Sequence, residues 1–163
     1  MLHSLPTAIL GRTGLQVTRL GYGTAGNKAH ESRWKAILPS ILDSGINFID
    51  TANDYGANRG LPAEEMIGKY ISDRRSDYFI ATKCGCAPSG PHVWTRENAF
   101  RGLHESLGRL RTDYVDLMQY HNPSVNEAET GDLVTVLQDM KKQGKVRWLG
   151  VSTTLPHIST YIE

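Results

Sequence analysis

Apolar positions along the chain fall into two alternating patterns: short β-branched runs, and longer stretches with helical spacing. Residues 8–17 predict a hairpin turning through residues 11–14, where two glycines sit. Residues 19–23, Arg-Leu-Gly-Tyr-Gly, predict a first buried strand. Trp34, Ile37, Leu38, Ile41 and Leu42 then share one helical face, and Gly45 closes that helix. Pro39 lies inside it and deprives it of one backbone hydrogen bond. Further strands are predicted at 46–50, 78–83, 114–121 and 146–151, and helices at 62–72, 95–110 and 127–143. Phe100, Leu103, Leu107 and Leu110 mark the inner face of the 95–110 helix. Leu133, Val136, Leu137 and Met140 mark that of 127–143, which Gly144 closes. A last helix begins at 155 and runs to 163.

Strand starts recur about every 32–36 residues, the spacing of consecutive βα units around a parallel sheet. Eight such units take about 250 residues, and 163 hold about five strands. The expected architecture is therefore α/β: a partial (β/α)8 TIM barrel with an amino-terminal β-hairpin, truncated after the fifth strand. A shorter doubly wound sheet is the alternative. One domain over 1–163 is expected.

Composition narrows the function classes. A formal net charge of +1 with 21% charged residues describes an ordinary surface. No basic stripe suggests nucleic acid, and no apolar run approaches the ~20 residues that cross a bilayer. The first ten residues lack the pattern of a secretory leader, so a cytoplasmic protein is expected. Cys84 and Cys86 are too close for a ready disulfide and lack zinc-site spacing, so they read as a reduced pair without a metal. His3, His30, His92, His104 and His157 read as surface or loop residues.

Candidate chemistry sits at strand ends. Asp50, Lys83 and His121 close three successive predicted strands, and Tyr55 follows the first of these closely. In a parallel barrel the carboxyl ends of the strands share the face that carries the active site. A carboxylate, a phenol, an ammonium and an imidazole converging there make up a proton-transfer set. A phenol is a reluctant acid near neutrality, and a cation within ~4–6 Å lowers its pKa by roughly 1–3 units. Lys83 is the candidate cation and Asp50 its anchor.

Ordered blocks carry a family resemblance: Gly-Ile-Asn-Phe-Ile-Asp-Thr-Ala-Asn-Asp-Tyr-Gly from Gly45, Glu-Glu-Met-Ile-Gly from Glu64, Ala-Thr-Lys from Ala81, and Asp-Tyr-Val-Asp-Leu-Met-Gln-Tyr-His from Asp113. The chain resembles the amino-terminal half of an aldo-keto reductase. That resemblance implies a (β/α)8 barrel binding NADPH across its carboxyl face and reducing a small-molecule carbonyl. It assigns the catalytic tetrad to Asp50, Tyr55, Lys83 and His121, and cofactor contacts to Gly23, Thr24, Asp50 and Ser152. Two positions depart from the family pattern: Thr153 follows Ser152 where asparagine is common, and Ala25 replaces a frequent aromatic.

Two other readings compete. Lys83 at a strand end also suits a Schiff-base lyase. A half barrel with unpaired edges also suits a non-catalytic fragment that self-associates or pairs with a complementary half. The Gly-x-Gly-x-x-Gly match from Gly21 is set aside, because a dinucleotide fingerprint opens directly into its helix and this one does not.

Overall fold

Five parallel strands in unbroken sequential order form the frame of the protein. The computed structural model describes residues 4–27, 30–86 and 92–162. The first three residues of the amino-terminal segment, His3 among them, and the final residue of the last predicted helix lie outside that description.

β1 (Thr7–Ile9) and β2 (Gln16–Thr18) form the expected antiparallel hairpin. β3 (Tyr22–Gly23), β4 (Phe48–Asp50), β5 (Phe79–Cys84), β6 (Val115–His121) and β7 (Val146–Ser152) follow as the sheet. The intervening helices are α1 (Glu31–Asp43), α2 (Ala63–Ile71), α3 (Arg96–Leu110), α4 (Val125–Thr130), α5 (Leu133–Lys142) and α6 (His157–Ile162). A doubly wound sheet reverses its strand order at a switch point; this order, β3-β4-β5-β6-β7, never reverses.

Two expectations need correction. The first strand is two residues long and half-exposed, not a buried run from Arg19, and Leu20 points to solvent. The helix expected over 127–143 breaks into α4 and α5. Asp132 adopts a left-handed conformation (φ 47°, ψ 43°) at the break. A Cβ at Gly131 would sit 2.9 Å from both the Leu133 side chain and the Trp94 carbonyl, so only glycine lets the chain pass there. α4 starts with its own capping box, in which Ser124 and Glu127 satisfy each other's backbone amides. Pro39, by contrast, is accommodated inside α1.

Alternation along the strands separates two faces. Ile49, Ile80, Met118 and Tyr120 are buried against the helices, where Trp34, Leu38, Ile67, Leu103, Leu137 and Met140 meet them. Burying each such side chain contributes about 1.5–3 kcal/mol. Leu117, Gln119 and His121 project to the other face of β6 and are only partly covered.

Two charged clusters lock helices to strands. Asp116, 1% exposed, accepts from Arg75 (2.6 Å), Arg147 (2.9 Å) and the Ile80 amide (3.0 Å). Glu64, equally buried, accepts from Thr82 of β5 (2.5 Å) and Arg109 of α3 (2.8 Å). One turn on, Gly68 lets α2 press against α3, because a Cβ there would run into the Arg109 carbonyl.

Gly68→Ala is therefore expected to destabilise the fold by about 1–3 kcal/mol in urea unfolding. Gly108→Ala, exposed on α3 with open space around its Cβ, should stabilise by about 0.5–1 kcal/mol. Equal effects at the two glycines would refute the close-approach argument.

Candidate active site

Strand register brings the polar strand ends together. Gly23 pairs with Asp50, Asp50 with Ala81, Lys83 with Gln119, and His121 with Ser152. Paired residues project to one face, so Asp50, Lys83, His121 and Ser152 lie on a single surface, stepping along successive strands.

Lys83 is the best-buried member, with its side chain 4% exposed. Its ammonium donates to Asp50 Oδ1 (2.7 Å) and to the Thr51 carbonyl (2.8 Å). Two of its three N–H donors are thereby held. The same Nζ lies 4.8 Å from the centroid of the Tyr55 ring. Tyr55 in turn meets His121 edge-on, with centroids 5.7 Å apart. All four residues of the proposed set thus share one cluster.

The turn after β4 aims Tyr55. Thr51, Ala52 and Asn53 are buried, and the chain then reverses at Gly56 (φ 77°). A Cβ at Gly56 would collide with the Leu61 carbonyl, so the reversal requires glycine. The Tyr55 carbonyl accepts from the Ala63 amide (2.8 Å), joining the turn to the start of α2.

Thr24 sits differently from a ligand contact. It is 2% exposed, and its hydroxyl lies within donating reach of Thr51 Oγ1 (2.8 Å) and the Asp50 carbonyl (3.2 Å). Its amide donates to the same carbonyl (3.0 Å). Thr24 therefore braces the segment that carries Asp50. Gly23 is exposed with open space about it, and Ser152 is half-buried at the end of β7.

Sequence spacing gave no sign of a second set of groups beside His121. Beyond β5 the chain returns across the strand end, pairing Cys86 with His92. The His92 ring stacks on Trp94 (5.2 Å) and meets His121 edge-on (6.1 Å). Asn98 ties this return together by donating to the Val93 carbonyl (2.7 Å) and the Gly85 carbonyl (3.3 Å). Gly85 (φ 103°) is required because the Trp94 ring fills the space of a Cβ. Cys86 Sγ lies 3.4 Å from His121 Nδ1, and Asp54 Oδ1 lies 3.6 Å from the same nitrogen.

Electrostatics follow from burial and these neighbours. Burial pushes the Asp54 carboxyl up, but His121, its own backbone amide and His92 outweigh that and hold its pKa below the usual carboxylate value. Burial drives the Cys86 thiol up to about 12; Asp54 adds to the rise and Lys83 opposes it. Cys84 is raised as well, chiefly by burial. Cys84 and Cys86 are both free and buried.

A cation, a phenol and an imidazole clustered at the carboxyl ends of an all-parallel βα sheet are groups capable of acid–base chemistry. Comparison with known proteins shows the family. The profile of the Aldo/keto reductase family matches residues 19–160. L-galactose dehydrogenase of Arabidopsis thaliana is 33% identical over 163 aligned positions, covering 94% of this chain and 50% of that protein. A probable voltage-gated potassium channel subunit beta of Oryza sativa subsp. japonica is 40% identical over 122 residues, 70% of this chain and 36% of that protein. The holo form of an aldo-keto reductase from Bacillus halodurans superposes with a TM-score of 0.86 at 29% identity, over 96% of this chain and 53% of that one. The chain belongs to the aldo/keto reductase family. It spans about half the length of the curated relatives it matches, and its sheet is a partial barrel.

Asp50→Ala leaves a buried ammonium without its carboxylate. It should cost about 1–3 kcal/mol in urea unfolding, tempered by the partial exposure of Asp50. Lys83→Met removes the charge itself and should cost less; the reverse ranking would contradict the dependence of Lys83 on Asp50. In a second test, native Cys86 should react with a disulfide reagent at pH 8 about a thousandfold more slowly than an unfolded thiol. Its thiolate fraction falls as its pKa rises from 9.0 to about 12. Rapid native labelling of Cys86 would contradict its burial.

Proposed function

We propose that this chain carries the carbonyl-reducing centre of an NADPH-dependent oxidoreductase acting on an aldehyde or ketone. The observation that carries the reading is the position of the Lys83 ammonium, pinned by Asp50 and lying 4.8 Å from the centre of the Tyr55 ring.

The residues present fit the nicotinamide end of such a cofactor. Gly23 leaves its backbone open to close approach, the Asp50 carboxylate is 38% exposed on the same face, and Ser152 adds a hydroxyl. NADPH, when bound, supplies the hydride. The chain's own residues supply the proton and the orientation. Tyr55 gives its phenolic proton to the carbonyl oxygen, and by microscopic reversibility takes one back from an alcohol. Lys83 stabilises the charge left on that phenol, and Asp50 keeps Lys83 in place. His121 donates a hydrogen bond to the same carbonyl oxygen and so orients the substrate. Thr24 acts indirectly, bracing Asp50 and Thr51. Two buried, unpaired cysteines suit a reducing compartment, which supports the cytoplasm as the site of action. Among the described residues no helix is long and apolar enough to cross a membrane.

β3 and β7 end the sheet with one neighbour each. An apolar groove of about 360 Å³ beside β7 is lined by Leu137, Leu149, Val151 and Ile158. Open edges of this kind favour self-association or pairing with a complementary half barrel, so solution mass belongs with any activity measurement.

The test is fluorescence titration of the chain with NADPH, followed by turnover of a simple aldehyde. Tyr55→Phe should leave the titration unchanged and lower turnover about 10²–10⁴-fold. Undiminished turnover by Tyr55→Phe would remove the phenol from the mechanism.

A further inference from the structure

We propose that Cys86, His92 and His121 form a binding site for a divalent ion of the zinc class, with the Asp54 carboxylate beside His121. One donor atom from each of the first three lies within 4.8 Å of the others. A tetrahedral zinc with bonds of about 2.0–2.3 Å separates neighbouring ligands by about 3.3–3.7 Å. Cys86 Sγ and Asp54 Oδ1 already flank His121 Nδ1 at 3.4 and 3.6 Å. The remaining adjustment falls to His92, whose side chain is exposed.

The cluster holds an unmet buried acceptor. Asp54 Oδ1 is buried, and 3.6 Å is too long for a hydrogen bond, so it accepts none among the described residues. The Cys86 thiol has one proton to offer between two acceptors. A dication meets the demand of carboxylate, sulfur and imidazole at once. Metal binding releases the thiol proton to solvent and leaves a thiolate–metal bond, with no change of oxidation state. Sulfur and nitrogen donors select zinc and cobalt over magnesium and calcium.

The frame is already built. Asn53 donates to the Cys86 carbonyl (2.6 Å), Asn98 clamps the two ends of the return from β5, and Trp94 supports the His92 ring. Such outer contacts hold ligands in binding geometry. Ligation at Nδ1 leaves Nε2 of His121 as an N–H donor. That consequence for the carbonyl site rests on the function proposed above; the binding itself does not.

Cobalt titration of the full chain tests the site without any need for catalysis. One equivalent of Co²⁺ should produce a thiolate-to-cobalt charge-transfer band and tetrahedral d–d absorption. Zn²⁺ should bleach both, and excess Mg²⁺ should leave them. Cys86→Ser should abolish the charge-transfer band, while Cys84→Ala should retain it. His92→Ala, altered at an exposed residue, should keep the circular dichroism of the native fold and weaken cobalt binding about tenfold or more. Absence of the band in the native chain, its survival in Cys86→Ser, or undiminished affinity in His92→Ala would each overturn the assignment.

Discussion

A buried ammonium is the constraint around which this structure is organised. Removing Lys83 from water is costly unless its charge and its donors are met inside the protein. Asp50 supplies the opposite charge and the Thr51 carbonyl a further acceptor, both from the strand next door. Meeting that need fixes the relation between the ends of β4 and β5. Thr24 then fixes β3 to the same place, through its amide and hydroxyl on the Asp50 carbonyl. The charge that the proposed chemistry uses is thus also a structural demand on three adjacent strands.

The opposite face of β5 secures the arrangement from behind. Thr82 precedes Lys83 and points the other way, toward the buried Glu64 that also holds Arg109. The Glu-Glu-Met-Ile-Gly block therefore has a physical meaning: Glu64 bonds α2 to β5 and α3, and Gly68 lets the two helices close over that bond. A buried carboxylate of this kind is tolerated when its oxygens are hydrogen-bonded. Here both oxygens are. The helix-facing anchor and the site-facing cation sit on consecutive residues of one strand, so loosening either face disturbs the other.

How much of this was legible in the sequence depends on the range of the interaction. Periodicity located the sheet strands and the apolar faces of the helices, because each reports local burial. It failed at Gly131 and Asp132, where apolar spacing continues across a break at which a Cβ on Gly131 would meet the distant Trp94 carbonyl. It overstated β3, because Leu20 has no partner face to bury against. The four proposed catalytic positions were visible because each lies at or just past a strand end, where topology alone implies convergence. Thr24 was read as a ligand contact from its position after the first strand, yet its hydroxyl turns inward to Thr51. Cys86, His92 and Asp54 were invisible as a group, since they meet only through the return from β5 and the turn before Gly56.

That last meeting gives His121 two sets of neighbours. Its ring meets that of Tyr55 at a steep angle, while Nδ1 faces Cys86 and Asp54. An imidazole commits one nitrogen by what the other is given. If Nδ1 carries the proton, on the side facing Asp54, Nε2 is left as an acceptor unless the ring is cationic, and a neutral carbonyl oxygen finds no donor there. If Nδ1 instead accepts, from the Cys86 thiol or a metal ion, Nε2 keeps its proton and becomes the donor that orientation of a carbonyl requires. Under the proposed function, the groups behind His121 therefore bear on what the histidine can offer at the front.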